Sequence, residues 1–137
     1  MLKTVSICAA LASLTIGAFA QAQQLPSVAQ QAQTIKRTPL QKFEVPGTNF
    51  DTVIGIAEIA PNVSIGRHTH PGPESGFLLD GEFTLLVDGE LPLPLKAGQS
   101  YKVPSGATHD AKTGAQGAKV IATYVVERGK PIASPAQ

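Results

Sequence analysis

The chain has one cysteine, Cys8, and it lies in the first apolar run rather than in the body of the sequence. No intrachain disulfide can form, so stability must come from packing, a metal or oligomerisation. Excess charge of either sign is missing too, with eleven basic residues against ten acidic ones and no Lys/Arg cluster. That balance gives no support for nucleic acid or an anionic membrane surface as partner. Long apolar runs are also lacking: the longest, Val5 to Ile16, is shorter than the roughly 20 residues of a membrane span. Beyond residue 33 there is no helical periodicity of useful length, and no internal repeat is visible.

What the N-terminus does hold is "MLKTVSICAALASLTIGAFA", a basic start, an apolar run and small residues at Ala18 and Ala20. The pattern predicts a secretory signal peptide over residues 1–20, cut after Ala20, with a second A-x-A at Ala20-Gln21-Ala22 allowing a cut two residues later. Cys8 lies too early to be a lipid-modified first residue, and no twin arginines are present, so the route is Sec-type to the periplasm or beyond, with no stable membrane anchor. Removing 20 residues from 137 leaves 117, and losing Lys3 takes the net charge from +1 to 0. That length suits one domain burying roughly two-thirds of its unfolded surface. Residues 21–33, rich in Gln and Ala without an apolar face, read as a flexible leader. A domain is expected over 34–130, anchored at its start by Ile35, Leu40, Phe43 and Val45, with a C-terminal tail over 131–137.

Inside that domain the chain reads as short strands broken by turns. "TVIGIAEIA" is β-branched and apolar, and Pro61-Asn62 ends it. Asp80-Gly81 and Asp88-Gly89 each sit between apolar runs and predict tight hairpins. Phe83, Leu85 and Val87 alternate with Glu82, Thr84 and Leu86; Leu91, Leu93 and Leu95 alternate across Pro92 and Pro94, which confines that segment to a sheet edge. "QSYKVPSGATHDAKT" and "AKVIATYVVE" supply further strands. The spacing predicts an all-β sandwich or barrel.

Only three histidines occur, and two of them, His68 and His70, are separated by one residue. On a strand both imidazoles share a face, with Arg67 and Thr69 on the other. Glu74 follows Pro71-Gly72-Pro73, which must turn, so its carboxylate can swing back beside the rings. Two imidazoles and a carboxylate suit a first-row divalent ion. His109, after the turn "PSG", joins them if its strand faces the first. Taken alone, the spacing fits a polar surface loop equally well.

The same residues carry a resemblance. The chain resembles the cupin superfamily, in particular small single-domain bacterial cupins of the quercetin-dioxygenase-like kind, from about Phe43 to Glu127. The first family motif is matched by His68, His70, Glu74 and Gly81, with Asn62 where its leading glycine stands. Asn tolerates the left-handed backbone a turn needs. The second motif is matched by Gly98, Pro104, Gly106 and His109, with Thr113 in place of a final Asn that is not a ligand in the family. Sixteen residues separate the two motifs, within the family's range. The resemblance implies a six- to eight-stranded jelly-roll barrel with His68, His70, Glu74 and His109 holding one divalent ion of Fe, Mn, Ni, Cu, Co or Zn. By analogy with the family's dimers it also implies a homodimer through the segment Thr34 to Val45.

The family includes oxygenases, isomerases, lyases, decarboxylases and pure binding proteins. A complete ligand set leads us to expect a metal-dependent, oxygenase-like enzyme acting on a small oxygen-bearing molecule, with Glu74 able to act as base if it leaves the metal. A binding module and a non-redox isomerase or lyase are the competing expectations. Tyr101 and Tyr124 are expected either to orient a substrate or to fill the core, and Phe83, Leu85 and Val103 to fill the barrel. Arg67 should point away from the site, and Asp110 should lie at the surface.

Overall fold

The computed structural model describes residues 34–136. The signal peptide, its cleavage positions and the leader fall outside the described residues. Eight strands follow one another: β1 (Ile35–Glu44), β2 (Phe50–Ile59), β3 (His68–Thr69), β4 (Glu74–Val87), β5 (Leu93–Lys96), β6 (Ser100–Val103), β7 (His109–Glu127) and β8 (Ser134–Pro135). They form one antiparallel sheet in the order β1-β2-β7-β3-β8, with β4 pairing β5, β6 and β7. The all-β jelly-roll architecture expected from the strand pattern is thus what the chain adopts.

The frame of the barrel is the long β4–β7 ribbon, which runs from Glu74↔Tyr124 to Val87↔His109. Its middle is bent by register shifts between Leu78/Asp80 and Gly81/Phe83. Asp80-Gly81 is therefore not the expected hairpin. Gly81 does use positive φ, at 73°, but for a bulge that turns a continuous strand. A Cβ at Gly81 would lie 2.1 Å from the Gly117 carbonyl oxygen, so the corner admits only glycine there. The second pair behaves as expected: Gly89 has φ 81°, and Glu90 N–H donates to Val87 O at 3.0 Å to open the turn toward β5. β5, with Pro94, pairs β4 alone and so lies at an edge. The two strands expected between Gln99 and Glu127 divide differently, as β6 and a single 19-residue β7.

Alternation places the core as the sequence suggests. Phe83, Leu85, Val87 and Val103 are buried around Leu78, which has no exposure. The N-terminal anchors do not follow suit. Ile35 is buried, whereas Leu40 and Phe43 are 47% and 51% exposed. The reason is position: β1 pairs β2 and nothing else, and its register slips between Pro39 and Gln41. The residues expected as a C-terminal tail supply β8, which pairs β3 through His68↔Pro135 and Thr69↔Ser134.

Candidate metal centre

His68 and His109 are cross-strand partners on β3 and β7, so the two motifs meet through the sheet itself. His70 lies just past β3, and the turn before His109 is tied to it by Gly106 N–H donating to His70 O at 2.9 Å. Ring centroids are 4.1 Å apart for His68–His109, 4.9 Å for His68–His70 and 5.0 Å for His70–His109. One ligand nitrogen from each ring can be chosen so that all lie within 4.8 Å of one another. Glu74 opens β4 between Val103 and Tyr124 and sends Oε2 to 3.0 Å from His70 Nε2 and 3.4 Å from His109 Nε2. His70, Glu74 and His109 are all buried, at 5%, 6% and 3% exposure.

Each ring is oriented by a backbone carbonyl. His68 Nδ1 lies 2.7 Å from Gly66 O, His70 Nδ1 2.6 Å from Ile132 O, and His109 Nδ1 3.0 Å from Ala107 O. A carbonyl oxygen only accepts, so Nδ1 carries the proton in every ring. The neutral tautomer then leaves each Nε2 with a bare lone pair. Buried His70 Nε2 has no hydrogen-bond donor among the described residues and faces a carboxylate oxygen. Two electron-rich atoms held 3.0 Å apart in a buried site suit a cation shared between them. Three such nitrogens with one carboxylate oxygen fit a divalent transition ion.

The electrostatics follow from burial and these neighbours. Burial alone would raise the Glu74 carboxyl, but hydrogen bonds with His109, His70 and Tyr101 outweigh it and hold the group at about 2. The two histidine bonds form only when those rings carry a proton at Nε2. Burial lowers His68. It acts the same way on His109, where Glu74 and the Ala107 carbonyl reverse the sign and leave the ring raised. Tyr101 donates to Glu74 Oε1 at 2.7 Å, and Tyr124 packs 4.9 Å from the His70 ring. Burial first, and Glu74 second, push both phenols upward. Both tyrosines thus belong to the site.

Arg67 points away as alternation demands, its guanidinium forked onto Asp88 by two 2.7 Å bonds. Asp110 does not lie at the surface. It is 6% exposed, accepting from Ser64 Oγ at 2.6 Å and Gly66 N–H at 2.9 Å. Alternation does place it opposite His109, but that face is covered by the Val63–Gly66 segment rather than by water. Asp110 thereby fixes the loop whose Gly66 carbonyl aims His68. The motif departures also meet. Asn62 adopts φ 56° and donates its N–H to Gly114 O at 3.0 Å, while Thr113 Oγ1 accepts from Val63 N–H at 2.9 Å and donates to Ala60 O at 2.7 Å.

Above the cluster is a cavity of 670 Å³ lined by the three histidines, Glu74, Tyr101, Tyr124, Phe83 and Leu85, and bounded on one side by Ile132 to Pro135. Sequence reasoning missed the carbonyls of Gly66, Ala107 and Ile132, since a backbone group leaves no residue-type signal.

Comparison with known proteins agrees with this architecture. Residues 55–126 match the cupin domain family. A dimethylsulfoniopropionate lyase, DddW, from Ruegeria pomeroyi is 34% identical over 67 residues, covering 49% of this chain and 43% of that protein. The chain thus spans less than half the length of that relative. Among solved structures, the DMSP lyase DddQ from Ruegeria pomeroyi superposes with a TM-score of 0.65 at 17% identity, over 90% of this chain and 59% of that one. An uncharacterised protein with a double-stranded β-helix domain from Klebsiella pneumoniae gives 0.61 at 20% identity, over 85% and 99%. At such identities the two structures share the fold.

Proposed function

The chain belongs to the cupin domain family, and on that premise we propose that it is a metal-dependent enzyme of lyase type acting on a small oxygen-bearing molecule. The observation that carries this reading is the convergence of three imidazole rings and one carboxylate oxygen beneath a 670 Å³ cavity. His68, His70, His109 and Glu74 would hold one divalent ion of iron, manganese, nickel, copper, cobalt or zinc. Such an ion supplies Lewis-acid polarisation of a substrate oxygen.

The chain's own groups divide the remaining work. Tyr101 pins Glu74 Oε1, which leaves Oε2 aimed at the centre. Tyr124, pushed upward by burial, keeps its proton at neutral pH and can donate a hydrogen bond from the cavity wall. Glu74 is displaced the opposite way. Once Glu74 Oε2 leaves the metal it can take the proton from carbon. The freed electron pair forms the double bond as the carbon–sulfur bond of a sulfonium substrate breaks. The sulfide departs neutral without needing a proton, and the Tyr124 hydroxyl orients the substrate by a hydrogen bond. The Ile132 to Pro135 segment lines one side of the cavity. The lyase relative supports elimination. Oxygen-dependent chemistry is the second reading, favoured by a donor set that also suits iron or manganese.

One experiment separates them. Protein reconstituted with each metal is given dimethylsulfoniopropionate, with proton NMR reading vinyl protons and an electrode reading oxygen. Vinyl protons without oxygen uptake support the lyase, and Tyr124→Phe, which loses one orienting hydrogen bond, should then lower the rate by up to about tenfold with metal retained. Oxygen uptake with any small substrate supports the second reading. Metal-loaded protein inert across a panel of small oxygen-bearing molecules defeats both and leaves a binding barrel.

The same reading takes residues 1–20 as a cleaved signal, 21–33 as a leader and 34–136 as the folded domain in the periplasm. Mass spectrometry of the exported chain checks it, since an N-terminus at Gln21 is expected and an intact Met1 contradicts it. The exposed edge of β1, with Leu40 and Phe43, supports the homodimer, which light scattering reads directly.

A further inference from the structure

One cation in the cavity wall has no acidic partner. Arg37 on β1 pairs in register with Ala57 on β2, and both residues line the cavity. Ile35, two positions earlier, is buried in the core, and alternate strand residues share a face, so Arg37 lies on the cavity side of β1, where it is exposed at the cavity's rim. The neighbouring cations are committed: Arg67 to Asp88, Lys36 and Lys119 to Glu58, and Arg128 to Asp51 and Glu44. Among the described residues no ion pair holds Arg37. Much of the surrounding wall is apolar, including Ile54, Ile56, Ile65, Phe83, Leu85 and Val120, and low polarity strengthens any ion pair formed there.

We propose that Arg37 is the anion anchor of this cavity and that the molecule it takes is a small monocarboxylate, held by its carboxylate at Arg37 with its reacting end at the three histidines. A single guanidinium fork matches one planar carboxylate, and no second free cation lines the cavity to balance a dianion. The proposal rests on the reading of the site as a metal-dependent enzyme and adds the charge of its substrate. A charge on an edge strand has one other use, to discourage edge-to-edge pairing.

The test uses cobalt(II)-loaded protein with 3-mercaptopropanoate and 3-mercaptopropanamide, and their homologues one methylene shorter and longer. The thiolate-to-cobalt absorption band reports the head group in both, and only the acid can use Arg37. The acid is expected to bind at least about tenfold more tightly than the amide at the best chain length. Arg37→Gln should reduce that preference to about twofold or less with cobalt content unchanged, and Arg37→Lys should keep part of it. Equal affinities in the unmodified protein, or a preference that survives Arg37→Gln, overturn the proposal. So does an Arg37→Gln protein that only self-associates, which marks an edge-blocking charge. Protein that takes up no cobalt defeats the metal reading instead. Calorimetry with pentanoate and pentanamide on the metal-free protein then reads Arg37 alone: an acid preference lost in Arg37→Gln upholds it, and equal binding overturns it.

Discussion

His70 Nε2 and Glu74 Oε2 lie 3.0 Å apart in a buried site, and neither atom brings a proton to the contact while His70 is neutral. The proton of that ring is spent on the Ile132 carbonyl. A cation shared by the two atoms suits that geometry, and the carbonyl of Ile132 and the hydroxyl of Tyr101 hold the two groups in place.

The Ile132 carbonyl comes from a segment that reads as a tail. Ending the chain at Lys130 removes it together with β8. Metal affinity should fall about 10- to 100-fold, the usual scale for losing a group that orients a ligand. The barrel should stay folded, since β8 pairs only β3. Zinc titration beside a thermal melt checks both points, and unchanged affinity contradicts the role given to this carbonyl.

Gly76 makes room for the ring that holds Glu74. A Cβ there would lie 2.3 Å from Tyr101 Cε1 and Cζ and 2.5 Å from its hydroxyl. Gly76→Ala should therefore push Tyr101 off Glu74 Oε1 and cost about 1–3 kcal/mol of stability through overpacking. Denaturant melts read the cost. Tyr101→Phe, which keeps the ring and loses the hydroxyl, should match it in any change of metal affinity but not in overpacking.

Thr113 Oγ1 ties the loop before the first motif to β7, accepting from Val63 N–H at 2.9 Å and donating to Ala60 O at 2.7 Å. Thr113→Val keeps the shape and leaves the Val63 N–H without its acceptor, at a cost of about 1–3 kcal/mol. Thr113→Ser should restore most of it. A valine variant as stable as the original protein contradicts this account.

In metal-free protein, Glu74 sets an acid limit. Its carboxyl is held at about 2 against an ordinary 4.5. A depressed carboxylate stabilises the fold above its unfolded pKa, and that contribution is lost as pH falls from about 4.5 toward 2. Stability from urea melts should drop through this window, and Glu74→Gln should flatten the drop. Equal slopes in the two proteins contradict it.

The sequence announces this site unevenly. His68, His70, Glu74 and His109 stand out through the two motifs that carry the family resemblance, since the strand period and residue types alone leave a polar surface loop equally open. Asn62 and Thr113 read as separate departures from two motifs, yet they brace the same junction, which only the folded sheet reveals. Asp110 is hidden by a correct rule with a wrong corollary: it does face away from His109, but a loop waits there. Asp80-Gly81 and Asp88-Gly89 look alike because positive φ serves a bulge and a turn equally. The long pairing of β4 with β7 decides between them, and no local window contains that pairing. β8 has no alternation to read, since its two residues are placed by β3.

The most direct measurement is metal content by mass spectrometry, after reconstitution with zinc and exhaustive dialysis, for the mature protein without an affinity tag and for His70→Ala and His109→Ala. The account predicts about one ion per chain in the unmodified protein and less than about a tenth of that in either variant. No retained ion in the unmodified protein, or variants that retain as much, would contradict it.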